Sequence, residues 1–215
     1  MRTAKILVLD YGIGNLYSVR RAVEYCDCGV VDVSANPLDV DRADRLIIPG
    51  VGAFEDGMLG LGHRGLIDSI ARFARSGKPV LGICLGMQLL ATQSDEFGQH
   101  DGLNLIPGKA IAIPRQSVAG EPIKVPFIGW TQIALTPGIT STGCLAKHRS
   151  EASVYMVHSY HVLPADPNHL LATYDYGGHR ITAAIKRDNI TGCQFHPEKS
   201  GEVGLAILKA FLTSD

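Results

Sequence analysis

Lys78-Pro79-Val80-Leu81-Gly82-Ile83-Cys84-Leu85-Gly86-Met87-Gln88 is the stretch on which the fold turns. Val80 to Ile83 is an apolar run entered from a proline, as a short buried strand would be. Cys84 follows at once between Gly82 and Gly86, and Met87 to Ala91 then reads as helix. Strand, Gly-x-Cys-x-Gly, helix is the layout of a nucleophile elbow with sulfur in place of oxygen. Glycines flank such a turn because the nucleophile's backbone is strained and neighbouring segments pass close by. A helix N-terminus behind the sulfur offers free N–H groups and the positive end of the macrodipole, which favour an anion and can hold an oxyanion. Taken by itself the stretch also fits a small cysteine buried in a βα turn, since free cysteine is often core. A base elsewhere in the chain separates the two readings.

Outward from Cys84 the chain alternates strands and helices. Lys5 to Asp10 is a continuous apolar run ending in an acid, as in a central parallel strand. The glycine-rich turn Tyr11-Gly12-Ile13-Gly14-Asn15 follows, and Leu16, Val19, Val23 and Cys26 then recur at helical spacing. Tyr17 stands where a dinucleotide fingerprint needs its third glycine, so that turn reads as a tight βα connection. Gly29 to Val33 and Leu46 to Ile48 read as further strands, the latter running into Pro49-Gly50-Val51-Gly52-Ala53-Phe54. Two glycines one apart after a buried strand leave N–H groups able to approach a ligand, or form an ordinary turn. Leu66, Ile70, Phe73 and Ala74 make an amphipathic helix closed by Gly77. The order βαβαβαβα predicts a doubly wound α/β fold: a mostly parallel open sheet with helices on both faces.

The pattern changes after Ser94. Residues 103–135 are short apolar runs broken by prolines and glycines, predicting antiparallel or mixed strands added at one side of the sheet. Ser153 to His161, Leu170 to Tyr174, Ile181 to Lys186 and Ile190 to Phe195 read as strands, and Gly201 to Leu212 as a closing helix. No repeat or linker marks a boundary, so residues 1–215 are expected to form one domain.

With 215 residues, 46% of them hydrophobic and 19% charged, the chain has the composition of a well-packed enzyme. A formal net charge of −1 with no basic tract argues against nucleic acid or an anionic membrane as partner. No apolar run approaches the ~20 residues that span a bilayer, and Met1 to Lys5 shows no signal-peptide pattern. Cys26, Cys28, Cys84, Cys144 and Cys193 are odd in number and lack paired metal-type spacing. A reducing cytoplasm is the expected compartment. No metal or organic cofactor is implied, and the cysteines other than Cys84 read as structural filler.

A nucleophilic cysteine needs an imidazole to take its proton, and the imidazole needs an acid to fix its tautomer. His196-Pro197-Glu198 supplies both directly after the last strand. Active sites of open α/β sheets lie beyond the carboxyl ends of the strands, so Cys84 and His196 are expected at one edge. Pro197 disfavours helix at His196 and lets Glu198 reach the second ring nitrogen. The seven other histidines of the eight lack this combination.

Gly82 to Gln88 together with Gln194-Phe195-His196-Pro197-Glu198-Lys199-Ser200 resembles the class I (triad) glutamine amidotransferases. Tyr11 to Asn15, Pro49 to Phe54, Lys124-Val125-Pro126, Gly129-Trp130 and Val157-His158-Ser159-Tyr160 narrow the resemblance to the family of glutaminase subunits of imidazole glycerol phosphate synthase, over the whole chain. The resemblance implies that Cys84 attacks the glutamine carboxamide, that His196 shuttles the proton and that Glu198 orients it. It implies an oxyanion hole from Leu85 with the Gly50–Val51 backbone, and glutamine binding by Gly52, Gln88, His158, Ser159 and Tyr160. It puts Asn15, Trp130, Tyr155 and Lys199 at or near the contact with a TIM-barrel cyclase subunit. Through that partner, ammonia would reach a phosphoribosyl-formimino carboxamide, yielding imidazole glycerol phosphate and aminoimidazole carboxamide ribotide.

Two positions depart from the family pattern: Phe127 stands where histidine is usual and Thr131 where asparagine is usual, in a stretch expected on the partner side. A paralogue feeding ammonia to amidine formation on a bacterial surface sugar could carry such changes. A stand-alone cysteine hydrolase on the same elbow is the other alternative; Gln88 and the Pro49–Gly52 loop speak for a glutamine pocket against it.

Overall fold

A computed structural model of the protein describes residues 3–137, 145 and 152–214; Cys144 lies outside them. The first half runs β1 (Lys5–Leu9), α1 (Leu16–Tyr25), β2 (Val30–Ser34), α2 (Pro37–Arg42), β3 (Arg45–Gly50), α3 (Phe54–His63), α4 (Leu66–Arg75), β4 (Val80–Cys84) and α5 (Leu85–Leu89). The second half adds β5 (Gln93–Ser94), β6 (His100–Asp101), β7 (Gly108–Ala112), β8 (Phe127–Leu135), β9 (Ala152–His158), β10 (Tyr160–Pro164), β11 (Leu170–Tyr176), β12 (His179–Arg187), β13 (Ile190–Cys193) and α6 (Gly201–Leu212).

Nine strands form one sheet in the order β2-β1-β3-β4-β13-β12-β11-β8-β9. The first five pair in parallel, and β12, β11, β8 and β9 extend the edge antiparallel. This is the α/β architecture expected from the alternation. Ile6 and Val8 of β1 turn to the face covered by α1 and α6, with Val19, Val23, Ile207 and Phe211. Leu7 and Leu9 turn to the other, with Val40, Leu61, Leu66, Ile70 and Phe73 of α2, α3 and α4. Burial on both sides is why these strands read as unbroken apolar runs.

The structure departs from the sequence expectations in three places. Only β8 of residues 103–135 joins the large sheet; β7 pairs with β10 and β5 in a separate four-stranded sheet, β10-β7-β5-β6. Ser153 to His161, expected as one strand, breaks at Ser159, so that β9 and β10 enter different sheets. The His158 ring bonds the Tyr160 carbonyl at 2.8 Å across that corner. The helix after Cys84 starts at Leu85, directly on that cysteine, rather than at Met87.

Candidate active site

The carboxyl ends of three adjacent parallel strands converge. Gly50 of β3 lies in register with Cys84 of β4, and Cys193 of β13 lies beside Ile83. Cys84 has φ 54 and ψ −110, a conformation that a side chain rarely adopts and that must be held by its surroundings. The holding is steric. A Cβ on Gly82 would come within 2.6 Å of the Gly86 carbonyl oxygen, and a Cβ on Gly86 would overlap the Ile48 carbonyl oxygen outright. Only glycines let the elbow close onto β3. Leu85 becomes the first residue of α5, where backbone N–H groups have no partner inside the helix.

His196 stands at the other side of the sulfur with extended backbone, φ −97 and ψ 96, ahead of the 3-10 turn Pro197–Lys199. Two clamps from β9 fix it: His196 N–H donates to the Tyr155 carbonyl (3.0 Å), and the Ser200 hydroxyl accepts from Tyr155 N–H (3.0 Å) while donating to the His196 carbonyl (2.7 Å). His196 Nδ1 lies 2.9 Å from Glu198 Oε1, with the two side chains only 3% and 1% exposed. Burial alone would favour the neutral ring; Cys84 and Glu198 outweigh it and push the His196 pKa up to about 9. The bond to Glu198 engages Nδ1 and leaves Nε2 as the nitrogen available to Cys84.

Cys84 opens into a cavity of about 290 Å³. Of the residues that the sequence singled out, Val51, Gly52, Leu85, Gln88, His158, Ser159 and Tyr160 line it. Gly50 lies beneath, where a Cβ would overlap the Tyr11 hydroxyl and fall 2.9 Å from Leu85 Cβ. His158 has both ring nitrogens engaged: Nδ1 donates to the Tyr160 carbonyl and Nε2 accepts from the Tyr174 hydroxyl at 2.9 Å. It shapes the wall and offers a ligand no free nitrogen.

The chain matches the family model "Glutamine amidotransferase class-I" over residues 7–214. The chain belongs to the class I glutamine amidotransferases. Among curated relatives of this amidotransferase is imidazole glycerol phosphate synthase subunit HisH 1 of Legionella pneumophila, 50% identical over 211 residues, 97% of this chain and 99% of the relative. The HisH subunit of Syntrophotalea carbinolica is 48% identical over 96% of this chain and 98% of its own. Among solved structures, a glutamine amidotransferase superposes with a TM-score of 0.70 at 13% identity over 95% of this chain and 98% of that one. A putative GMP synthase subunit from Thermoplasma acidophilum superposes with 0.68 at 21% identity over 99% and 94%. At such identities these two speak for the amidotransferase fold alone.

Asn15, Trp130, Tyr155 and Lys199 of the amidotransferase stay outside the cavity. Trp130 is 57% exposed and meets its cross-strand neighbour Tyr155 edge-on, centroids 6.1 Å apart. Lys199 is exposed, and the Asn15 side chain caps α1 by accepting from Ser18 N–H (3.3 Å). Phe127 packs against Tyr174 (5.1 Å) and Tyr176 (4.8 Å), edge-on to His158. Two polar residues at the site have no role in the sequence reading. Glu96 lines the cavity; burial raises its carboxyl pKa, outweighing the lowering effect of a 2.7 Å bond from Phe54 N–H. Gln194 is buried against the sulfur. The first sits in a loop without a motif, and the second is hidden inside one.

The buried histidines give this amidotransferase an acid limit. Burial lowers the pKa of His158 and of His161 to about 4, and His161 Nδ1 accepts from Thr182 N–H (3.3 Å), which protonation would forbid. A depressed folded-state pKa contributes stability that is complete above the unfolded value, about 6.5, and lost as pH falls through about 4. Between these limits unfolding should take up about two protons, a slope of ~2.7 kcal/mol per pH unit. Denaturant unfolding at pH 7 to 4.5 measures it; His161→Gln should remove about half the slope, and a flat profile would contradict both burials.

Proposed function

We propose that the chain is the glutaminase subunit of an imidazole glycerol phosphate synthase, hydrolysing L-glutamine to glutamate and ammonia. The observation that carries the reading is the strained Cys84 at the mouth of a cavity beside the buried His196–Glu198 pair. Half-identity to HisH subunits over nearly the whole chain supports the pathway.

In this reading Cys84 has given its proton to His196, and the resulting thiolate attacks the carboxamide carbon while the carbonyl electrons move to oxygen. The Leu85 N–H receives that oxyanion, joined by an N–H of the Gly50–Val51 segment once its peptide turns inward. A ring held protonated through neutral pH suits the next step: His196 Nε2 gives its proton to the departing nitrogen, which leaves as ammonia. Water then attacks the γ-glutamyl thioester, His196 takes its proton, and Cys84 leaves with glutamate released. Glu198 takes no proton in this scheme; it holds the ring, and Glu96 suits the substrate's α-ammonium group in the cavity wall. Gly52, Gln88 and the Ser159-Tyr160 segment, shaped by His158, would hold the rest of the amino-acid end.

The exposed rim, Val51 at 40% and Trp130 at 57% with Tyr155, Lys199 and Asn15 nearby, is the face assigned to a TIM-barrel cyclase in a cytoplasmic heterodimer. Among the described residues no helix is long and apolar enough to cross a membrane. Phe127 packs into an aromatic cluster with Tyr174 and Tyr176, so its change from the family's histidine is met by local packing. The half-identity to HisH subunits is what favours the histidine pathway over a sugar-amidating relative.

The test is ammonia release by the chain alone, then with a cyclase and its phosphoribosyl-formimino carboxamide acceptor. We expect a rise of about 10²-fold or more only in the full mixture, because the oxyanion donor must be turned into place. Equal turnover by the isolated chain would contradict partner coupling, and no complex with that cyclase would send the reading to a different acceptor.

A further inference from the structure

We propose that Gln194 is a further catalytic residue, a buried amide that donates to the Cys84 sulfur and ties it to the glutamine cavity. The proposal deepens the glutaminase reading and rests on it for the identity of the substrate. Gln194 is fully buried on the link between β13 and His196. Its Nε2 lies 3.6 Å from Cys84 Sγ, and its Oε1 lies 3.2 Å from Gln88 Nε2. Gln88 Nε2 also donates to the Tyr160 carbonyl at 3.1 Å.

The sense of this chain follows from chemistry. A backbone carbonyl only accepts, so the Gln88 atom facing Tyr160 must be its NH₂ group. The second hydrogen of that group points to Gln194, which must therefore present its carbonyl oxygen there. What remains for the sulfur is the Gln194 NH₂. One carbonyl thus fixes both amides, and the result is an N–H aimed at the nucleophile. His158 Nδ1 donates to the same Tyr160 carbonyl at 2.8 Å, so both lone pairs of that oxygen are used as acceptors.

A hydrogen bond from a neutral donor is stronger to an anionic acceptor than to a neutral one. The Gln194 N–H therefore supports the sulfur when it carries charge, before attack and again when it departs from the thioester. Gln88 lines the cavity, so a bound ligand that moves Gln88 reaches the sulfur through two amides.

The experiment uses Gln194→Met, which keeps the length without the N–H, and Gln194→Glu, which replaces the donor by an acceptor. Both are studied in the complex with the cyclase. We expect alkylation of Cys84 by iodoacetamide at fixed pH and kcat for glutamine both to fall roughly 10-fold in Gln194→Met and further in Gln194→Glu, with KM within about 3-fold. A raised KM with unchanged alkylation would overturn the proposal, because Gln194 would then only shape the pocket. Slower alkylation in a complex whose wild type releases no ammonia from glutamine would support the sulfur contact while the glutaminase reading failed. If neither variant folds, the Gln194 side-chain amide resonances of the wild-type complex carry the test: they should shift when Cys84 is alkylated, and unchanged resonances would overturn the contact.

Discussion

Gly86→Ala is expected to leave little folded protein. The added Cβ would overlap the Ile48 carbonyl oxygen and lie 2.8 Å from the Ile48 carbonyl carbon. Both belong to the backbone of β3, which is bonded to β1 on one side and β4 on the other, so the strand cannot yield without breaking the centre of the sheet. Moving α5 away instead would open the elbow at Cys84 and unseat Leu85, Met87 and Leu89 from the core. Overpacking normally costs about 1–3 kcal/mol and more where backbone blocks relaxation, so ~4 kcal/mol or above is expected here. Gly62→Ala is the matched control: in α3 the same methyl meets nothing nearer than 3.9 Å among the described residues and should be neutral or stabilising by about 0.5–1 kcal/mol. Soluble yield and denaturant midpoints of the two variants decide it; a Gly86→Ala chain as stable as Gly62→Ala would contradict the steric account of the elbow.

That contrast also marks how far the sequence can be read. The central strands are legible because both faces are buried and the apolar runs are unbroken, as in Lys5–Leu9 and Val80–Cys84. Helix α3 is not: Gly57, Gly60 and Gly62 speak against helix, yet Gly60 is required where a Cβ would meet the Tyr11 carbonyl at 2.5 Å, and Gly57 where α3 presses on Leu89. Helix α2 is hard to see as well, though Asn36 caps it and Pro37 opens it, because six residues show little periodicity. The break at Ser159 depends on a ring-to-carbonyl bond that no strand propensity encodes. At the site, Cys84, His196 and Glu198 stand out because their chemistry demands one another. Glu96 and Gln194 come to the site only through the fold, and neither spacing nor residue type announces their position.

The second large effect concerns the proton. His196→Ala should lower glutamine turnover about 10³–10⁴-fold, since in the proposed mechanism it removes both the donor to departing ammonia and the acceptor from water. Glu198→Gln keeps an acceptor for Nδ1 but removes the charge that helps hold the ring protonated, and a smaller loss of about 10–100-fold is expected. Stability moves in a defined window. A raised folded-state pKa contributes stability that is complete below the unfolded value, about 6.5, and is lost as pH rises through about 9. Glu198→Gln should therefore cost more stability at pH 6 than at pH 10. An alanine variant at His196 that keeps wild-type turnover would place the base elsewhere.

The most direct test of Cys84 as the attacking group is the intact mass of the chain, acid-quenched during glutamine turnover in complex with the cyclase. The account predicts a fraction carrying one γ-glutamyl group, mapped to the peptide that contains Cys84 and missing from Cys84→Ser. Steady turnover with no such adduct, or undiminished turnover in Cys84→Ser, would contradict it.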